Sequence, residues 1–533
     1  MTAAPKQRVL IPSKVAPEML AVLREYPSIE VEAPGDLSQE ELIRRLPQFD
    51  AVIIRSNNEI TAEVLAASKR LRVVGRAGTG LDNIDVEAAT RRGVVVMNTP
   101  GENAISTAEH TLSMLLALAR RIPAADRSVK AGKWERGKFQ GVEVCGKTLG
   151  IVGLGRIGVQ IAKRAVAFGM RVVAYDPFVT AETVRDASIE LAPFEDVLRK
   201  ADFITVHTPL TPKTQHLLGR REFEMMRTGV RILNCARGGI VDEEALCDAI
   251  DAGKVAGAAL DVYETEPPQG CRVTRYEQIV TTPHLGGSTE EAQRAVGVAI
   301  ARQIGEFLAH DVITHAANAH HMTGESRALL GPYADVSERM GSMAAQLLTG
   351  PPVRVTITFH GERFKSGGEM LAAAALKGLL SVALEDSGVN TINARALARE
   401  RGLEVSVVQA EERDDFTNLV RVRVESGEDA HEIAGTRFGK QTSHIVGIDG
   451  FPLEVVPRGW MIVALSENRP GVIGRMGTLV GQHGGNINKM NNGSSPDGAR
   501  ALSTMSLDAE PAAGMLEALA REPFFHWIRL VRL

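Results

Sequence analysis

Three short segments hold residue types that can move a proton next to an anion. NCARGG carries Arg237, YETEPP carries Glu266 and PHLGGS carries His284. Each follows a β-branched, apolar run that predicts a strand, so all three are expected at the C-terminal ends of strands, where doubly wound sheets bind ligands. Oxidising an alcohol to a ketone removes a hydride and a proton. An imidazole such as His284 can take the proton, because it titrates near neutrality. A carboxylate such as Glu266 can orient the ring and stabilise the imidazolium. Arg237 can bind a substrate carboxylate bidentately and polarise the neighbouring oxygen. A lone arginine or histidine is more often a surface ion pair or a structural group; the combination beside one nucleotide site reverses those odds.

The nucleotide site is TLGIVGLGRIG, where Gly153, Gly155 and Gly158 form G-x-G-x-x-G. The pattern alone is weak, but an apolar strand precedes it and a helix over Val159–Phe168 follows it. The first glycine permits the turn, the second lets backbone approach a pyrophosphate, and the third allows close helix–strand packing. Asp176 ends the next strand, VVAYD, 18 residues beyond Gly158. A carboxylate there accepts bonds from ribose hydroxyls and repels a 2′-phosphate, which favours NAD over NADP.

The elements that must position these groups alternate along the chain. Arg8–Pro12, Ala51–Ser56, Val73–Gly78 and Val94–Thr99 read as strands with helices between them. Ala104–Arg121 reads as a long helix whose apolar breadth suggests burial between domains. A second series (Thr148–Val152, Val172–Tyr175, Phe203–His207, Val230–Asn234, Gly257–Asp261, Ile279–Thr282) has the near-continuous apolar runs of a sheet covered on both faces. The fold class is therefore α/β, with a Rossmann-type doubly wound sheet. Ser288–His310 reads as a capped helix, and Thr314–Thr323 as a polar linker. From Val353 to about Val456, strands and two helices, near Met370–Glu385 and Ala394–Arg401, predict a small unit with an antiparallel or mixed sheet. The last 75 residues run strand, helix, strand, strand, helix, strand, the order of a ferredoxin-like module.

Composition excludes other classes. A chain of 533 residues exceeds one core, and two to four domains are expected. A net charge of -4 and 4% aromatic residues argue against nucleic acid and anionic membranes. The four cysteines form no CxxC pair, so metal and redox readings fail, and a reduced, cytoplasmic compartment fits. No apolar run is long enough to span a membrane.

The residues GLGRIG, HTPLT, NCARGG, ALDVYETEP and HLGGST resemble the D-isomer-specific 2-hydroxyacid dehydrogenases. The resemblance implies catalytic roles for Arg237, Glu266 and His284. It also implies NAD contacts from Thr79, Gly153, Gly155, Arg156, Ile157, Gly158, Asp176, Thr208, Cys235, Ala236, Arg237, Asp261, His284, Leu285, Gly286 and Gly287, with Gly287 standing where alanine is usual. AVIIRSNNEIT, VVGRAGTGLDNID and WERGKF resemble the branch of that family acting on 3-phosphoglycerate. This points to Arg55, Ser56, Arg76, Gly78 and Arg136 for the substrate. The same trio would serve another 2-hydroxyacid, such as glycerate or 2-hydroxyglutarate. A non-enzymatic NAD-sensing corepressor shares the fold but lacks the C-terminal module. That module, SENRPGVIGRMGTLVGQHGGNIN, resembles an ACT domain, with Asn468 and Asn486 matching serine-binding positions, although Ser466 replaces a bulkier residue. Residues 320–455 resemble the intervening domain of long-form members, with Arg437, Lys440 and His444 as a candidate anion site. The resemblance implies a flavodoxin-like, discontinuous substrate domain over 1–98 and 289–318, a cofactor domain over 99–288, an intervening domain over 319–456 and an ACT domain over 459–533. It also implies a homo-oligomer, and a tetramer is expected.

Overall fold

The computed structural model describes residues 5–180, 188–365, 367–384, 388–410, 416–427, 429–439 and 442–533. Four sheets organise them. The first contains β1 (Gln7–Leu10), β2 (Ile29–Glu32), β3 (Ala51–Ile54), β4 (Val73–Arg76) and β5 (Val95–Met97), in the order β2-β1-β3-β4-β5. All pairs are parallel, and β3 (AVII) is buried throughout, as a strand covered on both faces must be. The order is flavodoxin-like and reverses between β1 and β3.

The second sheet contains β6 (Thr148–Val152), β7 (Arg171–Tyr175), β8 (Ile189–Leu191), β9 (Phe203–Val206), β10 (Val230–Asn234), β11 (Val255–Leu260) and β12 (Ile279–Thr281). Its order, β12-β11-β10-β9-β6-β7-β8, is the doubly wound Rossmann order with one added strand, and it reverses between β6 and β9.

The chain crosses between these sheets twice, before helix Ala104–Arg120 and before helix Glu290–His310. The crossings are tied by a hydrogen bond of 2.7 Å between Ser106 and Thr289. Helix Glu290–His310 returns to the first sheet, where Val296, Ile300 and Ile304 share a core with Val9, Ile53 and Val73. Helix Ala104–Arg120 packs on β10 to β12 and on helix Arg156–Ala167. One face of it is thus buried on the second unit, while Ile105 and Ser113 on the other are exposed. Only its N-terminal end, at Thr107, reaches the cleft between the two units, where its apolar breadth had suggested burial between domains along its length. The stretch read as a linker is also structured. Asn318 accepts from Val96 N at 2.8 Å and donates to Val94 O at 2.8 Å, and Ala316 bridges Met97. Its polar side chains bond the edge of the first sheet.

The third sheet holds β13 (Arg354–His360), β14 (Glu404–Ala410), β15 (Leu419–Ser426), β16 (Asp429–Phe438), β17 (Thr442–Ile448) and β18 (Phe451–Val455). It is mixed, with β13 parallel to β14 and the other pairs antiparallel. Helix Gly324–Leu347 crosses helix Gly368–Ala383 with backbones in contact, since a Cβ on Gly341 would lie 2.0 Å from Ala375 O.

The fourth sheet holds β19 (Trp460–Glu467), β20 (Ile487–Ser494), β21 (Arg500–Leu507) and β22 (Phe525–Arg532), in the order β20-β21-β19-β22. This is the ferredoxin-like arrangement. Helices Val472–Gln482 and Met515–Ala520 cover one face. On the other face, Met461, Val463, Leu502 and Val531 join the core of the third unit. The Gln346 amide pairs with both backbone groups of Arg532 on edge strand β22, at 2.9 Å each.

Candidate active site

The cleft lies between the first two sheets, at the C-terminal ends of their strands, and encloses about 670 Å³. Its catalytic-type pair is close: His284 Nδ1 lies 2.8 Å from Glu266 Oε2. The hydrogen bond to Glu266 raises the His284 pKa above its ordinary value, more than burial and nearby Arg237 lower it. Burial pushes the Glu266 carboxyl up, but the bonds from His284 and from Tyr263 N, at 3.2 Å, hold it below the usual range. With Nδ1 engaged, Nε2 is the ring atom left to take a proton.

Arg237 follows β10 in a turn braced by buried Asn234, which accepts from Ala236 N at 3.1 Å and donates to Arg237 O at 2.8 Å. Its guanidinium reaches across the cleft to Asp82, Nε to Oδ2 at 3.0 Å. Arg76 ends β4, fixed by Asn83 at 3.1 Å and Ala77 O at 2.7 Å. Burial and the charge of Arg237 push its pKa down to about 10. Arg55 follows β3 at the switch point of the first sheet and donates to Lys14 O at 3.0 Å and to Gln293 Oε1 at 2.5 Å. Ser56 and Gly78 also line the cleft. Three arginines therefore converge on one cavity, an arrangement suited to a dianionic or trianionic ligand.

The second-sheet wall has the shape a dinucleotide requires. Gly153 has φ +99°, and a Cβ there would lie 2.6 Å from His207 O. A Cβ on Gly158 would lie 2.2 Å from Gly153 O, whereas one on Gly155 would meet nothing within 4 Å. Two glycines are thus demanded by the protein, and the space over the third is open to a ligand. Helix Arg156–Ala167 starts there and presents free N–H groups. Asp176 follows β7 and is already oriented, accepting from Leu154 N and Phe178 N at 2.9 Å each. The buried Thr208 hydroxyl lacks a partner among the described residues and faces the same cleft. Burial pushes neighbouring His207 down to about 3, so it is a neutral wall.

Family models match residues 112–286 as the D-isomer specific 2-hydroxyacid dehydrogenase NAD binding domain, 329–449 as the D-3-phosphoglycerate dehydrogenase intervening domain and 460–524 as an ACT domain. The chain is 43% identical over 517 residues to a D-3-phosphoglycerate dehydrogenase of Archaeoglobus fulgidus, covering 96% of this chain and 98% of that one. The chain belongs to the D-3-phosphoglycerate dehydrogenase family. The Bacillus subtilis member is 38% identical, with 99% of each chain covered. The crystal structure of NAD+-bound 3-phosphoglycerate dehydrogenase from Entamoeba histolytica is similar with a TM-score of 0.50 and 28% identity, covering 59% of this chain and 99% of that one. The chain is an NAD-dependent oxidoreductase, and the glycine loop, Asp176 and Thr208 fit that cofactor.

Most residues carried over from the family meet at the cleft. Thr79, Ile157, Thr208, Cys235, Ala236, Asp261, Gly286 and Gly287 line it. Burial drives the Cys235 thiol up to about 12, so it acts as a small apolar wall. Arg156 sits on the glycine loop and donates to Pro100 O at 2.7 Å, and Leu285 is exposed on the turn after His284. Arg136 is different. It lies on the short turn Arg136–Phe139 near the C-terminal end of helix Ala104–Arg120, exposed and away from the cleft of its own chain.

The expected effector residues lie apart within one chain. Asn468 follows β19 at its Glu467–Arg500 end, while Asn486 precedes β20 at the Ile487–Leu507 end. An eight-residue strand separates them, about 25 Å, so within one chain they cannot share a small ligand. Ser466 is buried and donates to Ala501 O at 3.5 Å, inside the sheet. Of the candidate anion site, Lys440 lies outside the described residues, and His444 packs against the Phe438 ring 4.6 Å away. Sequence reasoning missed Asp82, Asn83 and Gln293, which orient the arginines. Asp82 and Asn83 lay inside the motif VVGRAGTGLDNID, close to Arg76, and Gln293 lay inside the helix expected over Ser288–His310.

Proposed function

We infer that this chain oxidises 3-phospho-D-glycerate to 3-phosphohydroxypyruvate, the first step of serine biosynthesis. The carrying observation is the convergence of Arg55, Arg76 and Arg237 on the His284–Glu266 pair. Arg237 binds the substrate carboxylate and polarises the 2-oxygen, with Asp82 giving way as a competing anion. Arg55 and Arg76, on the opposite wall, bind the phosphate, and Ser56 and the Gly78 backbone complete that end. As the C2–O bond becomes a carbonyl, the hydroxyl proton passes to His284 Nε2, and Glu266 stabilises the imidazolium that forms. When bound at the second sheet's switch point, NAD supplies the hydride acceptor.

The division of labour follows the sheets: 1–98 with 289–318 for substrate, 99–288 for cofactor, 319–456 as intervening unit and 459–533 as ACT module. Serine is the proposed effector, held by Asn468 and Asn486 of different subunits, because one chain cannot bring them together. Assembly is supported by exposed Ile105, Ile122, Val129 and Trp134, whose apolar surface suits a second copy; a homotetramer is the proposed state. Arg136 lies beside Trp134, so it can serve only a partner's cleft. A cytoplasmic location fits four free cysteines, and among the described residues no helix is long and apolar enough to cross a membrane.

The test is a substrate panel with NAD. The Michaelis constant for 3-phosphoglycerate is expected to rise in Arg55→Ala and Arg76→Ala while that for glycerate changes little. The discrimination should shrink by about ten- to a hundredfold, the size of a charge-assisted hydrogen bond. Equal losses on both substrates, or wild-type preference for glycerate or 2-hydroxyglutarate, would overturn the assignment.

A further inference from the structure

The turn that carries His284 is held in an unfavourable conformation. His284 has φ +55°, in the left-handed region that side chains other than glycine rarely adopt. Its N–H donates to Asp261 O at 2.9 Å, and the next two amides, of Leu285 and Gly286, donate to the Asp261 carboxylate at 2.7 and 2.9 Å. Asp261 therefore clasps the turn with backbone and side chain together. It is 1% exposed, so its charge depends on donors from the protein.

Two side chains complete that shell. Thr282 Oγ1 donates to Asp261 Oδ1 at 2.6 Å, from the segment that leads into the turn itself. His110 comes from elsewhere: its Nε2 lies 3.1 Å from Asp261 Oδ1 and 3.2 Å from Thr282 Oγ1. His110 sits in helix Ala104–Arg120, which packs on β10, β11 and β12. It is thus the link, among the described residues, between the Asp261 carboxylate and a rigid element outside the strand-end loops. Its ring is 19% exposed. To donate to a carboxylate it must carry the proton on Nε2, which both the neutral Nε2–H tautomer and the imidazolium do.

We propose that His110 is a positioning residue for the reaction: through Asp261 it fixes the turn that presents His284 to substrate. Removing the His110 donor leaves a buried carboxylate under-satisfied, and the turn relaxes toward an ordinary backbone conformation. The ring of His284 then leaves the orientation in which Nε2 meets the substrate hydroxyl, while the arginines, on other supports, continue to bind substrate. A misplaced base lowers turnover and leaves binding intact.

The inference rests on His284 as proton acceptor, so the experiment measures His110→Ala, His110→Gln and His284→Ala side by side on the full-length enzyme. Glutamine places an amide N–H where the imidazole Nε2 lies. His110→Ala is expected to lower kcat about five- to tenfold, the effect of one lost hydrogen bond, with the Michaelis constant for 3-phosphoglycerate unchanged. His110→Gln should return kcat to within about twofold of wild type. Unchanged kcat in His110→Ala overturns the proposal. So does a glutamine variant as impaired as the alanine one, or a fall in kcat matched by weaker substrate binding. Near-normal turnover in His284→Ala is a different failure, because it removes the proton acceptor itself.

Discussion

At the residue scale, the His284–Glu266 pair fixes a pH dependence. The hydrogen bond to Glu266 raises the His284 pKa, so the free base, the form that accepts a proton, is populated only above a pKa higher than the ordinary value of about 6.5. The kcat/KM for oxidation should rise with pH through that point. In Glu266→Gln the supporting charge is gone, and the limb should move to lower pH while maximal turnover falls. A limb that stays in place would show that another group titrates. The pair's contribution to stability has two edges. It is lost as pH rises through the raised His284 pKa, and lost as pH falls through the depressed Glu266 pKa. Arg237, Glu266 and His284 were legible because each chemistry-bearing type sits at the end of an apolar run. Asp82 and His110 were not, because their partners lie 155 and 151 residues away in sequence, and no spacing rule reaches that far.

At the element scale, the glycine loop separates folding from binding. The Gly158 Cβ position is filled by the backbone of Gly153, and the Gly155 position is open. Gly158→Ala is expected to lower the melting temperature of the free enzyme, since overpacking costs about 1–3 kcal/mol. Gly155→Ala should leave that temperature unchanged and raise the Michaelis constant for NAD at least about tenfold, the equivalent of one or two backbone hydrogen bonds. The reverse pattern would mean that the pyrophosphate does not cross Gly155. Buried parallel strands such as β3 and β6 announced themselves as unbroken apolar runs. Helix Gly324–Leu347 did not, because Gly331, Pro332 and Gly341 interrupt its pattern. Glycine and proline weaken a helical pattern, yet Gly341 is the contact point with helix Gly368–Ala383. The stretch 314–323 looked like a linker because its polar residues bond a sheet edge rather than water.

At the scale of the whole molecule, the distance between Asn468 and Asn486 makes assembly a condition for the proposed serine site. In Asn468 the amide nitrogen is held by Gly498 O at 3.0 Å, which leaves Oδ1 to accept from an ammonium. Calorimetric titration of serine is expected to show binding to the assembled enzyme, loss in Asn468→Ala and in Asn486→Ala, and parallel loss of inhibition. Serine binding that survives dissociation to monomers would refute the shared site, and no binding at millimolar serine would leave the module an assembly element. Within one chain a route for such a bias runs through the third unit, whose Asn390 donates to Gly93 O at 2.9 Å on the first unit, and the bias requires different serine affinity in two arrangements. The third and fourth units share one apolar core, through Met461, Val463, Leu502 and Val531. In evolutionary terms the sensor is therefore not a detachable cassette. A stop codon near residue 459 would leave helix Gly324–Leu347 and its sheet with a bare greasy face, and the truncated product would be lost to aggregation. Because the two units share that core, a lineage that loses the fourth is expected to lose the third with it.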